Sequence, residues 1–432
     1  MDKSRKSIYI PIEIKVRELN SQLLLAAKAA EEGFATYIGS KPMIYHIVKN
    51  KPTRGGIFLY KGGLNNKKDL INEIKSKVDA YCVLDQELGP VFSKELSDRR
   101  LDSINQVLID RYFAYDKNVV DFARDNYSSL NRDSIILSGW PREELWTKKY
   151  HFLYEKEKSR ILSKYGDFFL FSSNFGFTSA FRIKEERNKY TRLRDEEHIK
   201  RMEKSMLKSF EGYTSFVNFI KQFSSENNDF KIIIRPHPSE DHKAWRDDLA
   251  GLSNVKIIYK GEITPWILAA KGLIHTGCTS AIQSHVMNKK TAFIKLQSSI
   301  NESYKKTIEV SDIIVSSEDL LHWIRSTKND EDNKTTTIPI SSNHATSVIV
   351  SEFQKLIENE DKIFLFKTLN RMKYRLNSIR YFFFKKFNFS QSGFAQKIGV
   401  IKKGEVKSFL RLINPDLKVK KLANNCFIIF KQ

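Results

Sequence analysis

An arginine and a histidine, each followed by proline, close the apolar run KIIIRPHPSE (231–240). The prolines remove backbone freedom, so Arg235 and His237 stand ready rather than recruited, with Pro238 fixing the exit. Arg235 offers a planar fork to a phosphate or carboxylate, and His237 supplies a second donor. In HTGCTSAIQSHVMNKK (275–290) a short apolar strand breaks at Gly277, and Thr279 and Ser280 are placed to cap a helix. The first N–H groups of such a helix bind anions. A third polar loop, SSNFG (172–176), brings Ser173 and Asn174 beside a glycine that permits close backbone approach. Ligands of doubly wound sheets bind outside the carboxyl ends of the strands. Three loops of this kind in one sheet are expected to converge on one nucleotide phosphate. Each also has an ordinary explanation: an Arg and a His that cap a strand or meet Glu240, a plain Thr/Ser helix cap, a simple turn. His275 reads as a structural histidine.

A second set of candidates is acidic. PIEIKVRELNSQ (11–22) puts Glu13, Arg17 and Glu18 between a strand and a helix, and Asp85-Gln86-Glu87 closes another strand. Carboxylates at strand ends can act as the general base on a hydroxyl. Glu18 equally suits the first turn of a helix, where acids are favoured. The chain has no GxxxxGK[ST] or GxGxxG phosphate loop, no GxSxG elbow and no HExxH. The acidic run Asp330-Glu331-Asp332 lies in a polar stretch that reads as solvated. No metal site and no organic cofactor is expected.

These loops need strands behind them, and the sequence supplies two alternating series. In the first, SIYIPI (7–12), FATYIG (34–39), IFLYKG (57–62), DAYCVLD (79–85) and the start of SIILSGWPREELW (134–146) read as strands. Amphipathic helices at 17–33 and 67–78 separate them, and Pro141 is placed to start another. The second series runs DFFLFSSNFGF (167–177), a charged helix over 190–223, KIIIRPHP, NVKIIYK (254–260), a helix over 264–272, LIHTG (273–277), a helix over 279–289, and TAFIKL (291–296). Strands alternating with helices predict parallel sheets covered on both faces. The expected fold is α/β: two Rossmann-like doubly wound domains facing a cleft, residues 1–150 and 151–345, followed by a basic helical extension, 346–432.

At 432 residues the chain suits two domains. No apolar run is long enough to span a membrane, and three cysteines are too few and scattered for a disulfide framework. A cytoplasmic protein is expected. The formal charge of +22 is unevenly spread: residues 362–432 hold 17 Lys or Arg against two acids, a net +15. Within that tail, 367–389 interleaves cations with Phe and Tyr. This composition suits peripheral contact with an anionic membrane surface, or a helix that packs back on the first domain. A nucleic-acid-binding protein is the rival reading of the charge, but it leaves the strand-end loops unexplained, so no nucleic acid is expected as a partner.

The order PIEIKVREL, DQELGP, SGWPREELW, SSNFG, RPHPSE and HTGCTSAIQSHVMNKK resembles the bacterial surface-carbohydrate (capsule and O-antigen) glycosyltransferases of two-Rossmann GT-B architecture, over about residues 8–300. The Arg-x-His-Pro segment and the later Gly-x-Thr/Ser helix start are similar to those of transferases using CMP-activated acidic sugars, such as polysialyl- and Kdo transferases, and more distantly of CDP-glycerol transferases. The resemblance implies an N-terminal acceptor domain, a C-terminal donor domain, and transfer of a nonulosonic acid or Kdo from its CMP form to a bacterial surface glycan, which can be lipid-linked. It places His237 on the nucleotide phosphate, Arg235 on the phosphate or the sugar carboxylate, and Gly277, Thr279 and Ser280 in the phosphate cradle. Ser173 and Asn174 line the donor side, and Gln283 stands where related sequences commonly carry a ribose-binding Glu. The base would be Glu18 or Glu87. A CDP-glycerol- or UDP-sugar-using transferase or epimerase of the same fold is the alternative.

Overall fold

The computed structural model describes residues 6–62, 68–86, 100–101, 103–190, 196–296, 305–326, 344–357 and 400–431. They form two compact units: unit 1 holds residues 1–153 and 337–432, and unit 2 holds 154–336. The chain therefore leaves its first unit, builds the second, and returns.

Unit 1 starts with six parallel strands, β1 (Ser7–Ile12), β2 (Ala35–Ser40), β3 (Ile57–Tyr60), β4 (Ala80–Leu84), β5 (Arg111–Ala114) and β6 (Ile135–Leu137). β1 to β4 are buried at every position, so they read as continuous apolar runs rather than alternating ones. Unit 2 holds β7 (Phe169–Ser172), β8 (Ile232–Arg235), β9 (Val255–Ile257), β10 (Leu273–His275), β11 (Thr291–Ile294) and β12 (Asp312–Ile314), all parallel. The two series expected from the sequence are both present.

The C-terminus departs from the expected helical extension. Helices Ala345–Leu356 and Lys403–Ile413 are followed by β13 (Leu417–Ala423) and β14 (Cys426–Lys431), an antiparallel hairpin that extends the first sheet. β14 pairs antiparallel with β2, giving the order β13-β14-β2-β1-β3-β4-β5-β6. Apolar Phe427, Ile428 and Ile429 are buried by this pairing. Gly39 in β2 makes room for it: a Cβ there would strike the Asn425 carbonyl and lie 2.9 Å from Cys426 Cα. The returning helix is tied by Arg111 to Glu352 (2.8 Å) and by Glu144, whose buried carboxylate accepts from the Thr346 N–H and hydroxyl. The basic aromatic stretch 367–389 and Asp330–Asp332 lie outside the described residues. No helix among the described residues is long and apolar enough to cross a membrane.

The unit 2 sheet has the order β12-β11-β10-β7-β8-β9. From β7 the chain proceeds outward through β8 and β9, then returns to the other side of β7 for β10, β11 and β12. The order reverses between β7 and β10, and such a switch point opens a crevice at the strands' carboxyl ends. Beneath it lies an aromatic core. Phe171 stacks on Phe216 at 3.9 Å, and Phe175 and Trp245 pack against both.

Candidate functional site

The three polar loops converge. SSNFG follows β7, RPHPSE follows β8 and HTGCTS follows β10, on three adjacent strands at the switch point. Their hub is Glu240, the acid that ends RPHPSE. Its buried carboxylate accepts from the Ser173 hydroxyl, the Gly176 N–H (3.3 Å), the His237 N–H (3.2 Å) and the Trp245 indole (2.9 Å). Burial holds its pKa above the usual carboxylate range, although all four donors pull the other way. The third loop joins through Thr276, which donates to Asn174 (3.4 Å), and through Ser172 against Cys278 (3.3 Å). Phe175, sunk among Phe171, Tyr213, Phe216 and Trp245, anchors the SSNFG loop from below.

Within this frame the individual residues divide. His237 is half-buried, and its Nδ1 accepts from the Ser239 N–H (3.3 Å) and lies 2.6 Å from the Ser239 hydroxyl. A backbone N–H can only donate, so the neutral ring carries its proton on Nε2. Pro238 forms the turn between them. Gly277 sits at φ +114°, a conformation that glycine adopts without strain, and its N–H donates to His275 Nδ1 (3.0 Å). The helix Ser280–Val286 then begins with no side-chain cap, contrary to the capping expected of Thr279 and Ser280. Thr279 already has helical dihedrals, the wrong geometry for a cap, and the buried Ser280 hydroxyl has no partner among the described residues.

Other expectations need correction. Arg235 is not presented to a ligand: its fork donates to the carbonyls of Lys260 (2.8 Å) and Gly261 (2.7 Å), and its plane faces the rings of Trp266 and Tyr259. Burial lowers its pKa to about 10, which leaves it charged at neutral pH. It pins the loop after β9. Ser173 spends its proton on Glu240 and accepts from the His237 N–H (2.9 Å), so it shapes the site from within. Gln283 is buried, and its amide donates to Thr264 (2.8 Å), which passes its own proton to Glu262 (2.7 Å). His275 is structural. Ser311 gives its proton to Thr307 O and so accepts from His275 Nε2 (2.8 Å), and burial pushes the imidazole pKa down to about 3.

In unit 1, Glu18 closes the start of helix Lys15–Glu31. Its carboxylate accepts from the Glu13 N–H (2.7 Å) and pairs with Lys61 (3.3 Å), with the side chain only 5% exposed. Glu18 does occupy the helix's first turn. Glu13 is more open, and although burial opposes it, Lys61 (3.1 Å) and Lys41 (3.5 Å) hold its pKa below the usual carboxylate range. Glu87, the other candidate base, lies outside the described residues. Among the described residues no group of three His, Cys, Asp or Glu is arranged to hold a metal ion.

Glu240 as an organiser escaped the sequence reading, which treated it only as a partner for Arg235 or His237. The signal was its position, five residues before Trp245 in a helix that starts at His242. The aromatic bracket Trp140-x-Arg142-x-x-x-Trp146 was also passed over.

No family model matches the chain, and no curated protein matches it. Among solved structures, a UDP-GlcNAc 2-epimerase of Methanocaldococcus jannaschii aligns with a TM-score of 0.51 at 14% identity, over 81% of this chain and 99% of that one. A UDP-N-acetylglucosamine 2-epimerase of Rickettsia bellii aligns at 0.50 and 11% identity, over 82% and 96%. A wall teichoic acid polymerase aligns at 0.45 and 11% identity, over 82% and 89%, too loosely to argue from. At such identities the likeness establishes the fold: two Rossmann-like units of the GT-B kind.

Proposed function

We propose that the switch-point crevice of unit 2 binds the phosphate of a nucleotide-activated sugar, and that the protein is a carbohydrate-active enzyme, a transferase or epimerase, working on that sugar. The observation that carries this reading is the joining of three loops, from three adjacent strands, through Glu240, Ser173, Asn174 and Thr276. The His237 side chain, in the turn after β8, and the backbone at Gly277, whose positive φ allows close approach, are the groups assigned to the phosphate. The groups assigned to phosphate are thus neutral and preorganised by a buried hub, and this is the arrangement that stabilises a developing leaving-group charge.

A UDP-sugar is the first candidate donor, because two structures that align at 0.50 or better are epimerases of UDP-N-acetylglucosamine. Transfer of an acidic sugar from CMP is the second reading, favoured by the order of motifs from PIEIKVREL to HTGCTS. The basic segment 367–389 would hold a transferase near a membrane-borne acceptor.

The test is a thermal-shift panel of UDP, CMP, CDP and GDP on the full chain, repeated on His237→Ala. UDP or CMP should raise the melting temperature of the wild type, and His237→Ala should lose most of that increment while melting near the wild type alone. A shift with UDP selects the first donor and one with CMP alone the second. No shift with any nucleotide would sink the reading.

A further inference from the structure

Unit 1 contains two arginines that the nucleotide reading does not use. Arg17 lies in the first turn of helix Lys15–Glu31, which packs against the short helix Pro141–Glu144 that bears Arg142. The Arg142 guanidinium lies 4.8 Å from the ring of Trp140 and 5.5 Å from that of Trp146, both buried. Its Nε is buried with no acceptor among the described residues. Arg17 is half-buried, and its side chain has no hydrogen-bond or ion-pair partner among the described residues.

The nearby acids do not supply the missing acceptors. Glu18, next to Arg17, gives its oxygens to the Glu13 N–H and to Lys61. Glu143, next to Arg142, accepts the Tyr115 hydroxyl proton. Burial first, and then repulsion from Arg17, lower the Arg142 pKa to about 10. Glu143 and Glu18 attract the Arg142 guanidinium and Arg17 repels it; with a buried Nε that has no acceptor among the described residues, the pair of arginines is only partly compensated by the protein. An oxyanion that accepts from both forks relieves the repulsion and fills the orphaned donors together.

We propose that Arg17 and Arg142 anchor a second ligand site, in unit 1, that takes the carboxylate or phosphate group of a small molecule. Trp140 and Trp146 hold the Arg142 fork in plane, so its direction is set before the anion arrives. The site uses none of the residues assigned to the nucleotide phosphate.

The anchor is tested on the full chain with inorganic phosphate and malonate as probes, titrated calorimetrically at ionic strength balanced with sodium chloride. Wild type, Arg17→Gln, Arg142→Lys and His237→Ala are compared. At least one probe should bind the wild type, and which one binds identifies the group preferred. Arg17→Gln should weaken it at least about tenfold, as expected for loss of a charge-assisted contact. Arg142→Lys, which keeps the charge and loses the fork, should also weaken it. His237→Ala should bind as the wild type does, which separates this site from phosphate bound in unit 2. Without any anion, Arg17→Gln should melt no lower than the wild type, because it removes repulsion and no contact. Failure of both probes to bind the wild type overturns the proposal, as does unchanged affinity in Arg17→Gln. Loss of binding in His237→Ala also overturns it, by placing the anion in unit 2, and so does a lower melting temperature of anion-free Arg17→Gln.

Discussion

Replacing Arg235 with methionine separates a clamp from a ligand. The side chain keeps its length and much of its contact with Trp266 and Tyr259, but loses both bonds to the loop after β9. The Lys260 carbonyl retains the Trp266 indole as a donor at 3.0 Å, whereas no second donor to Gly261 O is seen among the described residues. A hydrogen bond from a charged group contributes about 1.5–3 kcal/mol, and loss of the cation above two rings adds about 0.5–1 kcal/mol for each. Allowing for the donor that Lys260 keeps, Arg235→Met should cost about 3–4 kcal/mol. In a domain of this size that lowers the melting temperature by about 6–16 °C. It should also speed amide exchange in 258–263 by two to three orders of magnitude, at about 1.4 kcal/mol per tenfold. The assays are a thermal melt followed by near-ultraviolet circular dichroism and exchange mass spectrometry. Below the variant's own melting transition, the nucleotide increment should survive in part. A variant that melts and exchanges like the wild type yet loses nucleotide binding would refute the clamp and restore Arg235 as a phosphate ligand.

Three further changes probe the frame. Glu240→Gln leaves one carbonyl oxygen for Ser173, His237 and Trp245 but turns an NH₂ toward the Gly176 N–H, and should cost about 1–2 kcal/mol near pH 5. Because burial raises the folded pKa of Glu240, the wild type loses stability as pH climbs above the unfolded value and the amide does not, so their difference should shrink with pH; growth of that difference would contradict the assignment. Glu144→Gln follows the same sign. Its folded pKa is raised to about 7 by burial, so the variant should gain on the wild type between about pH 4.3 and 7, as read from melts at matched pH. Gly39→Ala should cost about 1–3 kcal/mol and free the hairpin, since the new methyl meets backbone that cannot step aside; unchanged exchange protection over 417–431 would disprove this.

The strands of the two alternating series were legible because they are parallel and largely buried. Ile232, Ile233 and Ile234, or Ile57, Phe58 and Leu59, form unbroken apolar runs with no other way to satisfy backbone and side chain together. Elements with weaker local signals were not read. β5 begins with the half-buried Arg111, and β12 shows only one buried residue. The closing hairpin reads LKVKKLANNCFIIFK, where lysines alternate on β13 and an Asn-Asn turn, with Asn425 at φ +55°, joins the strands. Its basic composition was absorbed into the charge of the tail. What fixed it as strand is a partner, β2, nearly four hundred residues earlier.

The two arginines show where reading from sequence stops. Both Arg17 and Arg235 stand just past or at the end of a buried strand, and nothing local tells them apart. The sequence favours Arg235 as the ligand, because prolines flank the motif that it opens. Tertiary contacts reverse the order: two carbonyls from a loop 25 and 26 residues away fill the Arg235 fork, while the acceptors nearest Arg17 are taken by Lys61 and the Glu13 amide. An immobilised arginine is therefore evidence of an acceptor, and only the fold says whether that acceptor is protein or ligand. The reversal has a measurable consequence for the two sites. A phosphate held by His237 and by the backbone at Gly277 displaces few counter-ions, so nucleotide binding should weaken little as salt rises, whereas an anion held by Arg17 and Arg142 competes directly with chloride. If nucleotide binding proves the more salt-sensitive of the two, a cation other than Arg235 must stand at the switch point, and the division between a neutral cradle in unit 2 and a charged one in unit 1 fails.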